Sequence, residues 1–330
     1  MRKLASIQKI WALEPIEGAD AIEKAHVLGW QLVVKKDEFK VGDLCVYCEI
    51  DSLMPDKPEY EFLKLRKMRI KTLRLRGQVS QGICFPLSVL PEGTPITLGL
   101  DVTELLGVTK YEEAIPAFLE GIMKGRFPSF IPKTDETRVQ TLQELLDQNK
   151  GTLCYITEKL DGSSATYYFK NGEFGVCTRN MEILEDEKNT MWKFARETDL
   201  ENKLRQLNKN IALQGEIVGE NIQKNTLKLR GQTVFFFNAF DIDAYKYLDF
   251  KEFVSLINSL GLKTVPMVEE EYVLENDIDK LVEMSIGKSL INPQGWREGI
   301  VFRSHKEQFI NGERFSFKAV NPKFLLKYDG

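Results

Sequence analysis

Histidine is scarce in this sequence, and its few cysteines form no metal-binding pattern. There are two histidines and five cysteines among 330 residues. His26 and His305 lie far apart and neither belongs to a Ser or Cys motif, so triad hydrolysis and His-ligated metals are poorly supported. Cys45 and Cys48 have CxxC spacing, but they lie in a strand-like stretch with no second Cys or His pair nearby, which argues against zinc. The odd number of cysteines, all in apolar or strand-like stretches, indicates reduced thiols in a reducing compartment.

Long hydrophobic runs and a strong charge imbalance are also absent. No apolar run approaches ~18 residues, and the amino terminus lacks the apolar region of a signal peptide. We therefore expect an intracellular protein, cytoplasmic or nuclear, with no membrane partner. The formal net charge is only −4, so any nucleic acid must be held by a local basic patch. Neither GxGxxG nor GxxxxGK[ST] occurs, so no Rossmann site or P-loop is encoded.

The length of 330 residues indicates two domains. Residues 1–107 contain short apolar runs separated by Gly and Pro turns, which predicts a small OB-like β-barrel. The runs are 29–34, 43–50, 68–75 and 82–87. Residues 108–132 lose this period and carry three prolines and two glycines, so they are predicted to be a linker.

Residues 133–330 form the predicted second domain, which is α+β with antiparallel sheets. Strands are predicted at 152–158, 163–169, 174–178, 211–219, 233–242, 299–303 and 314–320. Helices are predicted at 137–149, 187–208, 250–260 and 277–290. An Asn171-Gly172 pair marks a hairpin turn between two of the strands.

A lysine stands at the end of an apolar strand in the second domain. Lys159 is followed by Leu160, Asp161 and Gly162. An amine presented at a sheet edge beside a carboxylate can be a covalent nucleophile when its surroundings lower its pKa. The same Lys-x-Asp-Gly sequence is also common in exposed turns, so the motif by itself leaves both interpretations open.

Two carboxylates and a second lysine occupy comparable positions on other predicted strands. Glu216 and Glu298 each adjoin a glycine, and Lys318 ends an alternating run. Carboxylates can hold Mg²⁺ directly or through its waters, while an added cation offsets charge that develops on a phosphate. Together with Lys159, these residues have the chemistry of metal-assisted attack on a phosphoanhydride.

Six segments in order resemble the motifs of covalent nucleotidyltransferases, the superfamily of polynucleotide ligases and mRNA capping enzymes. The segments are Lys159-Leu160-Asp161-Gly162, Thr178-Arg179-Asn180, Gly215-Glu216, Phe236-Phe237-Asn238-Ala239-Phe240-Asp241, Glu298-Gly299-Ile300-Val301 and Phe317-Lys318. The resemblance covers residues 133–330 and implies a nucleotidyltransferase (ATP-grasp-like ligase) domain.

The resemblance implies a role for each matching residue. Lys159 attacks the α-phosphorus of ATP and forms lysyl-AMP, with Mg²⁺ or Mn²⁺ as the metal. Lys318 holds the α-phosphate, Glu216 and Glu298 serve the metal and the ribose, and Asp161 fixes a metal-bound water. Arg179 and Asn180 would contact ribose, phosphate or the RNA 3′ end. Phe237 would stack on adenine.

Three positions leave a second interpretation open. Phe237 lies in an aromatic run and is equally a candidate for the core, and Arg179 alone is typical of a solvated strand residue. Many ligases have two lysines spaced KxK in the last motif, whereas here the second position is Val320. Either Lys323 or Lys327 is a candidate to supplement Lys318.

The domain order resembles that of RNA ligases of the Naegleria type, in which an OB domain precedes a minimal nucleotidyltransferase domain. Residues 132–140 and 219–224 also resemble RNA-ligase sequence. The implied substrate is RNA with 3′-OH and 5′-phosphate ends, in a nicked or bridged duplex, with a separate enzyme to heal damaged ends. The alternatives are a capping guanylyltransferase, a DNA ligase, or a non-catalytic RNA-binding protein with the same fold.

A basic segment in the first domain is the candidate RNA contact. Residues 64–76 contain seven basic residues and no acid, interleaved with apolar positions, which favours a strand with an outer row of cations. The candidates are Lys64, Arg66, Arg69, Lys71, Arg74 and Arg76. The alternative is a solvated edge strand whose charges prevent aggregation. We expect this domain to serve RNA sealing and the second domain to bind ATP.

Overall fold

The first domain is built on an antiparallel five-stranded sheet. The computed structural model describes residues 3–111, 122–310 and 312–328 of the chain. In spatial order the strands are Trp30–Lys35, Ile22–Val27, Ala5–Pro15, Leu44–Cys48 and Ile83–Phe85. The strand Ala5–Pro15 buries Ala5, Ile7 and Ile10 completely, and Trp30 and Tyr47 are also fully buried. The apolar residues of the short runs therefore form one core.

A hairpin brings the two edges of this sheet towards each other. It consists of Thr72–Leu75 and Gln78–Gln81. The backbone N–H of Val33, on one edge strand, donates to Ser80 Oγ at 3.0 Å. The chain then continues directly into the opposite edge strand, so the sheet curls into a nearly closed antiparallel barrel. This confirms the predicted OB-like fold.

The basic segment 64–76 is not one strand, and the predicted strand 68–75 is too long. Lys64 and Arg66 lie in a 3₁₀ helix, Pro58–Arg66, which begins on a proline. The backbone of Lys67 and Met68 is left-handed, with φ of 52° and 61°, so neither helix nor strand continues there. Within the segment, only Thr72–Leu75 forms a strand.

The second domain contains two sheets that are mostly antiparallel, as predicted. The large sheet consists, in spatial order, of Met123–Arg126, Met181–Ile183, Glu173–Cys177, Ser163–Lys170, Ile211–Gly219, Gln232–Asp241 and Lys246–Tyr247, with Lys263–Thr264 beside Gln232–Asp241. The small sheet consists of Thr137–Arg138, Ser316–Val320, Gly299–Ser304, Leu153–Lys159 and Met267–Val273.

The short pairings and the helices complete the fold. Ser52–Leu53 pairs with Thr109–Lys110, and Phe309–Ile310 pairs with Glu313–Arg314. The α-helices are Thr103–Leu106, Gln143–Asn149, Thr190–Glu197, Leu200–Gln206, Phe250–Ser259, Ile278–Ser285 and Pro322–Tyr328. Two further 3₁₀ turns are Leu87–Val89 and Val139–Thr141. Among the residues that the structure describes, no helix is long and apolar enough to cross a membrane.

Three predicted helices differ from the structure in extent. Residues 137–141 form a short strand and a 3₁₀ turn before the helix at 143–149. The predicted helix 187–208 is two helices, because Asp199 between them has a left-handed φ of 53°. The predicted helix 277–290 ends at Ser285.

The predicted linker 108–132 has a short strand towards each end. Thr109–Lys110 pairs with the first domain, and Met123–Arg126 pairs with the large sheet. Residues 112–121, with Pro116 and Gly121, lie outside the described residues. The domain boundaries therefore stay a prediction.

The carboxyl-terminal part of the second domain packs against the barrel. Val320 and Leu325 belong to the same hydrophobic cluster as the barrel core. Asp51 of the barrel accepts hydrogen bonds from Arg69 and from Arg138 of the small sheet, each at 2.8 Å. The barrel is therefore held directly against the strand that carries Lys318 and its neighbour.

Candidate active site

The candidate catalytic residues meet where the two sheets of the second domain join. The strand Leu153–Lys159 belongs to the small sheet, and the next strand, Ser163–Lys170, belongs to the large sheet. Lys159 therefore lies at the junction, at the wall of a cavity of about 1010 Å³. Every residue that the sequence proposed for catalysis or nucleotide binding lines this cavity: Lys159, Asp161, Arg179, Asn180, Glu216, Phe237, Glu298 and Lys318.

Two glycines allow the backbone segments at this junction to approach closely. A Cβ atom on Gly162 would lie 2.4 Å from Ile217 O and 2.9 Å from Glu216 Cγ. A Cβ atom on Gly299 would lie 2.3 Å from Ala319 O. These separations are far below a van der Waals contact, so only glycine brings the Lys159 turn against Glu216 and places Glu298 beside its neighbouring strand.

Lys159 and Glu298 form an ion pair in the cavity wall. Lys159 Nζ lies 2.6 Å from Glu298 Oε1, and both side chains are largely buried. Burial alone would lower the pKa of Lys159, but the carboxylates of Glu298, Glu216 and Asp161 outweigh it and raise this pKa. In this state the amine is protonated, so it becomes a nucleophile only after the nearby negative charge is neutralised.

Glu216 and Asp161 complete the acidic side of the cavity. Burial, together with the charges of Glu298 and Asp161, raises the pKa of Glu216 to about 8, although Lys159 opposes the shift. Burial also raises the pKa of Glu298. Asp161 Oδ2 accepts a hydrogen bond from Thr226 Oγ1 at 2.9 Å, which fixes its orientation. The charge of Asp161 contributes to the raised pKa of both Glu216 and Glu298, so this group is arranged to receive positive charge.

The acidic side fits a hard divalent cation that also binds phosphate. Glu298 Oε2 is buried and has no hydrogen-bond partner among the described residues. Within the same residues, no three acidic, His or Cys side chains converge as a ready-made metal cage. Mg²⁺ usually takes one or two carboxylates and completes its shell with waters and substrate phosphates. The donor set therefore suits a metal that arrives with a nucleotide.

The facing wall of the cavity is cationic. The carboxylate of Asp135 lies 2.7 Å from Lys110 Nζ, 3.0 Å from an Arg179 nitrogen and 3.9 Å from Lys318 Nζ. Burial would raise the pKa of Asp135, but Lys318, Lys110 and Arg179 lower it to about 2. Asn180 lies beside this group and accepts a hydrogen bond from Lys133 at 3.0 Å. Three cations converge on one anion here, which is the arrangement a phosphate chain requires.

Phe237 faces the cavity, whereas its neighbour Phe236 is fully buried in the core. The Phe237 side chain is half-buried, and the guanidinium of Arg303 lies 5.5 Å from its ring centroid. Arg303 itself is buried and donates to Glu136 at 2.9 Å. The position of Phe237 favours the stacking interpretation over the purely structural one.

Several cavity residues were not identified from the sequence. Arg303 stands in an otherwise apolar strand five residues after Glu298, and this lone arginine was the available signal. Asp135 and Arg138 lie within residues 132–140, whose resemblance to RNA ligases carried no individual roles. The barrel residue Asp51 gave no local signal, because its partner Arg138 is 87 positions away.

The barrel and the residues that directly follow it contribute to the cavity wall, while the binding of ATP by the second domain stays a prediction. Asp51, Arg69, Lys110 and Tyr111 all line the cavity. Arg69 pairs with Asp51 and its guanidinium lies 4.1 Å from the Tyr111 ring centroid. Arg69 therefore does not belong to an outer row of cations, unlike the exposed Lys64, Arg66, Arg74 and Arg76. Lys71 is half-buried.

The last motif has one lysine in the cavity. Lys318 lines it, and the second KxK position, Val320, does so as an apolar residue. Lys323 and Lys327 are exposed, and neither lines the cavity.

Comparisons with known proteins agree with this geometry. A family model for RNA ligase matches residues 153–320, and a model for an OB-fold domain matches residues 4–87. No curated protein matches the sequence.

A structure of a Naegleria gruberi RNA ligase mutant with AMP and Mn is 42% identical, with a TM-score of 0.91, and the match covers 99% of each chain. A mutant of the same ligase with ATP and Mn matches equally well, with 42% identity, a TM-score of 0.91 and 99% of each chain covered. The Naegleria gruberi RNA ligase with PPi is 42% identical, with a TM-score of 0.90, covering 100% of this chain and 99% of that one. Because the family model spans half of the chain and these similarities extend over its whole length, the chain belongs to the RNA ligase family.

Proposed function

We propose that Lys159 is the nucleophile of this ATP-dependent RNA ligase, which joins RNA 3′-OH and 5′-phosphate ends in three nucleotidyl transfers. The observation that carries the proposal is the 2.6 Å pair between Lys159 Nζ and Glu298 Oε1 in a cavity with an acidic and a cationic wall. Similar chains have been solved with ATP, AMP and Mn, which supports ATP and a divalent metal as cofactors here. The alternatives of a guanylyltransferase, a DNA ligase and a non-catalytic protein are not favoured.

In the first transfer, the Nζ lone pair of Lys159 attacks the α-phosphorus of ATP. The new bond is N–P, the bond from the α-phosphorus to the bridging oxygen of the β-phosphate breaks, and pyrophosphate leaves with that electron pair. Nζ must first lose a proton. Glu298 Oε1 is in hydrogen-bond contact with it, and its raised pKa makes this carboxylate the better base.

The carboxylates of Glu216 and Glu298, with Asp161 beside them, would hold the divalent cation. When bound, the cation supplies Lewis-acid stabilisation of the phosphates and offsets the charge that keeps Lys159 protonated. The residues of the opposite wall act on the nucleotide directly. Lys318 binds the α-phosphate, and Arg179 and Asn180 bind ribose, phosphate or the RNA 3′ end. Phe237 stacks on adenine, with Arg303 behind its ring.

The second and third transfers act on RNA. AMP passes from Lys159 to the RNA 5′-phosphate, and the RNA 3′-OH then attacks that phosphate and releases AMP. The substrate is a nicked or bridged duplex, held in part by the basic residues of the barrel. The exposed Lys64, Arg66, Arg74 and Arg76 contact its phosphates, with Lys71 at the edge of this set, whereas Arg69 is committed to Asp51. A separate enzyme prepares ends that are not 3′-OH and 5′-phosphate.

Covalent labelling tests the nucleophile. The full chain is incubated with α-³²P-labelled ATP or GTP and Mg²⁺ and then resolved by denaturing electrophoresis. Label from ATP alone is expected, and Lys159→Ala should abolish it because no other amine takes its place. The matched control is Lys193→Ala, an exposed helix lysine. Label retained in Lys159→Ala would exclude Lys159 as the nucleophile.

End chemistry tests the RNA steps. Nicked RNA duplexes are compared with 3′-OH/5′-phosphate ends and with 3′-phosphate/5′-OH ends. Sealing of the first substrate alone, with AMP-capped RNA as an intermediate, is expected. Equal sealing of a single-stranded RNA would contradict the proposed duplex requirement, and sealing of the second substrate would contradict the proposed ends.

A further inference from the structure

Three segments of the second domain contain no acidic residue. They are 221–232, 286–297 and 315–328, and we call their combined surface the acid-free face. The chain as a whole has 49 Asp and Glu against 45 Lys and Arg, so this composition departs from that of the rest of the molecule. Exposed cations on the face are Lys224, Lys228, Arg230, Lys288, Lys323 and Lys327.

The three segments are held together by hydrogen bonds. Asn292 Nδ2 donates to Thr226 O at 2.9 Å, which joins the first two segments. Asn321 Nδ2 donates to Arg297 O at 2.9 Å, which joins the second and third. Lys224 Nζ donates to Tyr328 O, which joins the first and third. The face is therefore one surface formed by folding.

The acid-free face borders the catalytic cavity. Lys224 and Tyr328 line the cavity, and Thr226 holds Asp161 within it. Arg297 is followed directly by Glu298, and Lys318 belongs to the third segment. A strand lying along the face would lead to the reacting groups.

The cations of the face are not neutralised by neighbouring carboxylates. Lys64 of the barrel lies within 4 Å of Glu61 and Asp56, and the helix residue Arg196 pairs with Glu185 and Glu201. None of the six exposed cations of the face forms an ion pair among residues 3–111, 122–310 and 312–328. A row of unneutralised cations favours a polyanion over a neutral or cationic partner.

Trp296 organises two of these cations at the centre of the face. Lys288 Nζ lies 4.5 Å from its ring centroid and Lys323 Nζ lies 5.1 Å from it. Lys288 and Trp296 also form a backbone β-bridge. Cation–π contacts of this length order long side chains that otherwise lose rotamer entropy on binding. The ring therefore positions two ammonium groups on the face in advance of a ligand.

We propose that the acid-free face is a second RNA-binding surface, on which Lys288 and Lys323, positioned by Trp296, bind backbone phosphates of the RNA strand that enters the cavity. The inference rests on the RNA ligase function proposed above and adds cations of the second domain to the basic residues of the barrel. Since the face adjoins Glu298 and Lys318, its role is to align an RNA end with the adenylylated site.

Salt-dependent RNA binding tests the proposal. Binding of a nicked RNA duplex to the full chain is measured by fluorescence anisotropy between 50 and 200 mM salt, without ATP. In Lys288→Ala/Lys323→Ala, the loss of two phosphate contacts should reduce the log–log slope by about 1.4–1.8. Between 50 and 200 mM salt, the factor by which RNA affinity falls should then be about ten times larger for the wild type than for the variant. The matched control is Lys246→Ala/Lys251→Ala, which removes two exposed lysines outside the face.

Two further measurements separate the possible failures. Autoadenylylation of the double variant should equal that of the wild type, and if the wild type takes no label the proposed function itself fails. An unchanged salt slope in a variant that labels normally would show that the face is only a solvated surface. The salt slope of Trp296→Leu should equal that of the double variant, whereas Trp296→Phe should retain most of the wild-type slope. Equal salt slopes in Trp296→Leu and Trp296→Phe would refute the positioning role of Trp296.

Discussion

The raised pKa of Glu216 makes a stability prediction that can be tested without substrate. Burial and the neighbouring carboxylates raise this pKa from 4.5 to about 8. Between these values the folded protein keeps a proton that the unfolded chain loses. The contribution of Glu216 to the free energy of unfolding therefore falls as pH rises from about 4.5 to about 8. Above this range the carboxyl is ionised in both states, and the destabilisation of the folded protein is complete. Glu216→Gln removes this titration, so the variant should gain stability relative to the wild type as pH rises.

The magnitude follows from one proton. Each pH unit in this interval is worth ~1.4 kcal/mol, reduced near pH 8 where the folded carboxyl begins to ionise. Between pH 6 and pH 8 the gain of Glu216→Gln should be about 2 kcal/mol. For a chain of 330 residues, the corresponding difference in Tm is about 3 °C.

Thermal unfolding followed by intrinsic fluorescence measures the effect, with a chelator present and no nucleotide. Glu220→Gln provides the control, since this exposed glutamate directly follows the same strand. Adenylylation measured in parallel should fall by orders of magnitude in Glu216→Gln although the protein is more stable, because the metal loses a carboxylate. A Tm difference that does not change with pH would refute the raised pKa of Glu216.

Two more perturbations address the barrel contact and the nucleotide platform. Asp51→Asn should lower the free energy of unfolding by about 2–4 kcal/mol, because two arginines lose their shared carboxylate; a loss below ~1 kcal/mol in chemical denaturation would contradict this. Phe237→Leu should raise the KM for ATP about tenfold or more with a smaller effect on kcat, since aromatic stacking on a base is worth ~1–3 kcal/mol. An unchanged KM would show that Phe237 is only a packing residue.

The strands that carry the active site were predictable because their patterns are local. In Ile211–Gly219, side chains alternate between the two faces of the strand, so the core takes Ile211 and Leu213 while Glu216 lines the cavity. The proximity of Glu298 to Lys159 could not be predicted from local sequence patterns. It depends on the antiparallel register that pairs Lys159 with Gly299, 140 positions later. Only the resemblance to known ligases anticipated it.

The basic segment of the barrel shows what charge patterning can and cannot predict. The absence of acids in residues 64–76 correctly indicated exposure for Lys64, Arg66, Arg74 and Arg76. It did not determine secondary structure, because the left-handed backbone at Lys67 and Met68 leaves no pattern in the side chains. The burial of Arg69 was equally hidden, since its partners Asp51 and Tyr111 come from other segments.

The contribution of the barrel to nucleotide chemistry follows from where the last motif packs. Val320 lies two residues after Lys318 and is buried in the barrel core, so the barrel fixes the strand that presents the lysine. Asp51 anchors Arg138, which pairs in register with Lys318 on the neighbouring strand. The position of the Lys318 amine in the cavity thus depends on two barrel contacts, one apolar and one ionic. The barrel is therefore a structural part of the adenylylation site as well as the proposed surface for RNA, and substitutions in its core should affect the first chemical step before RNA is bound.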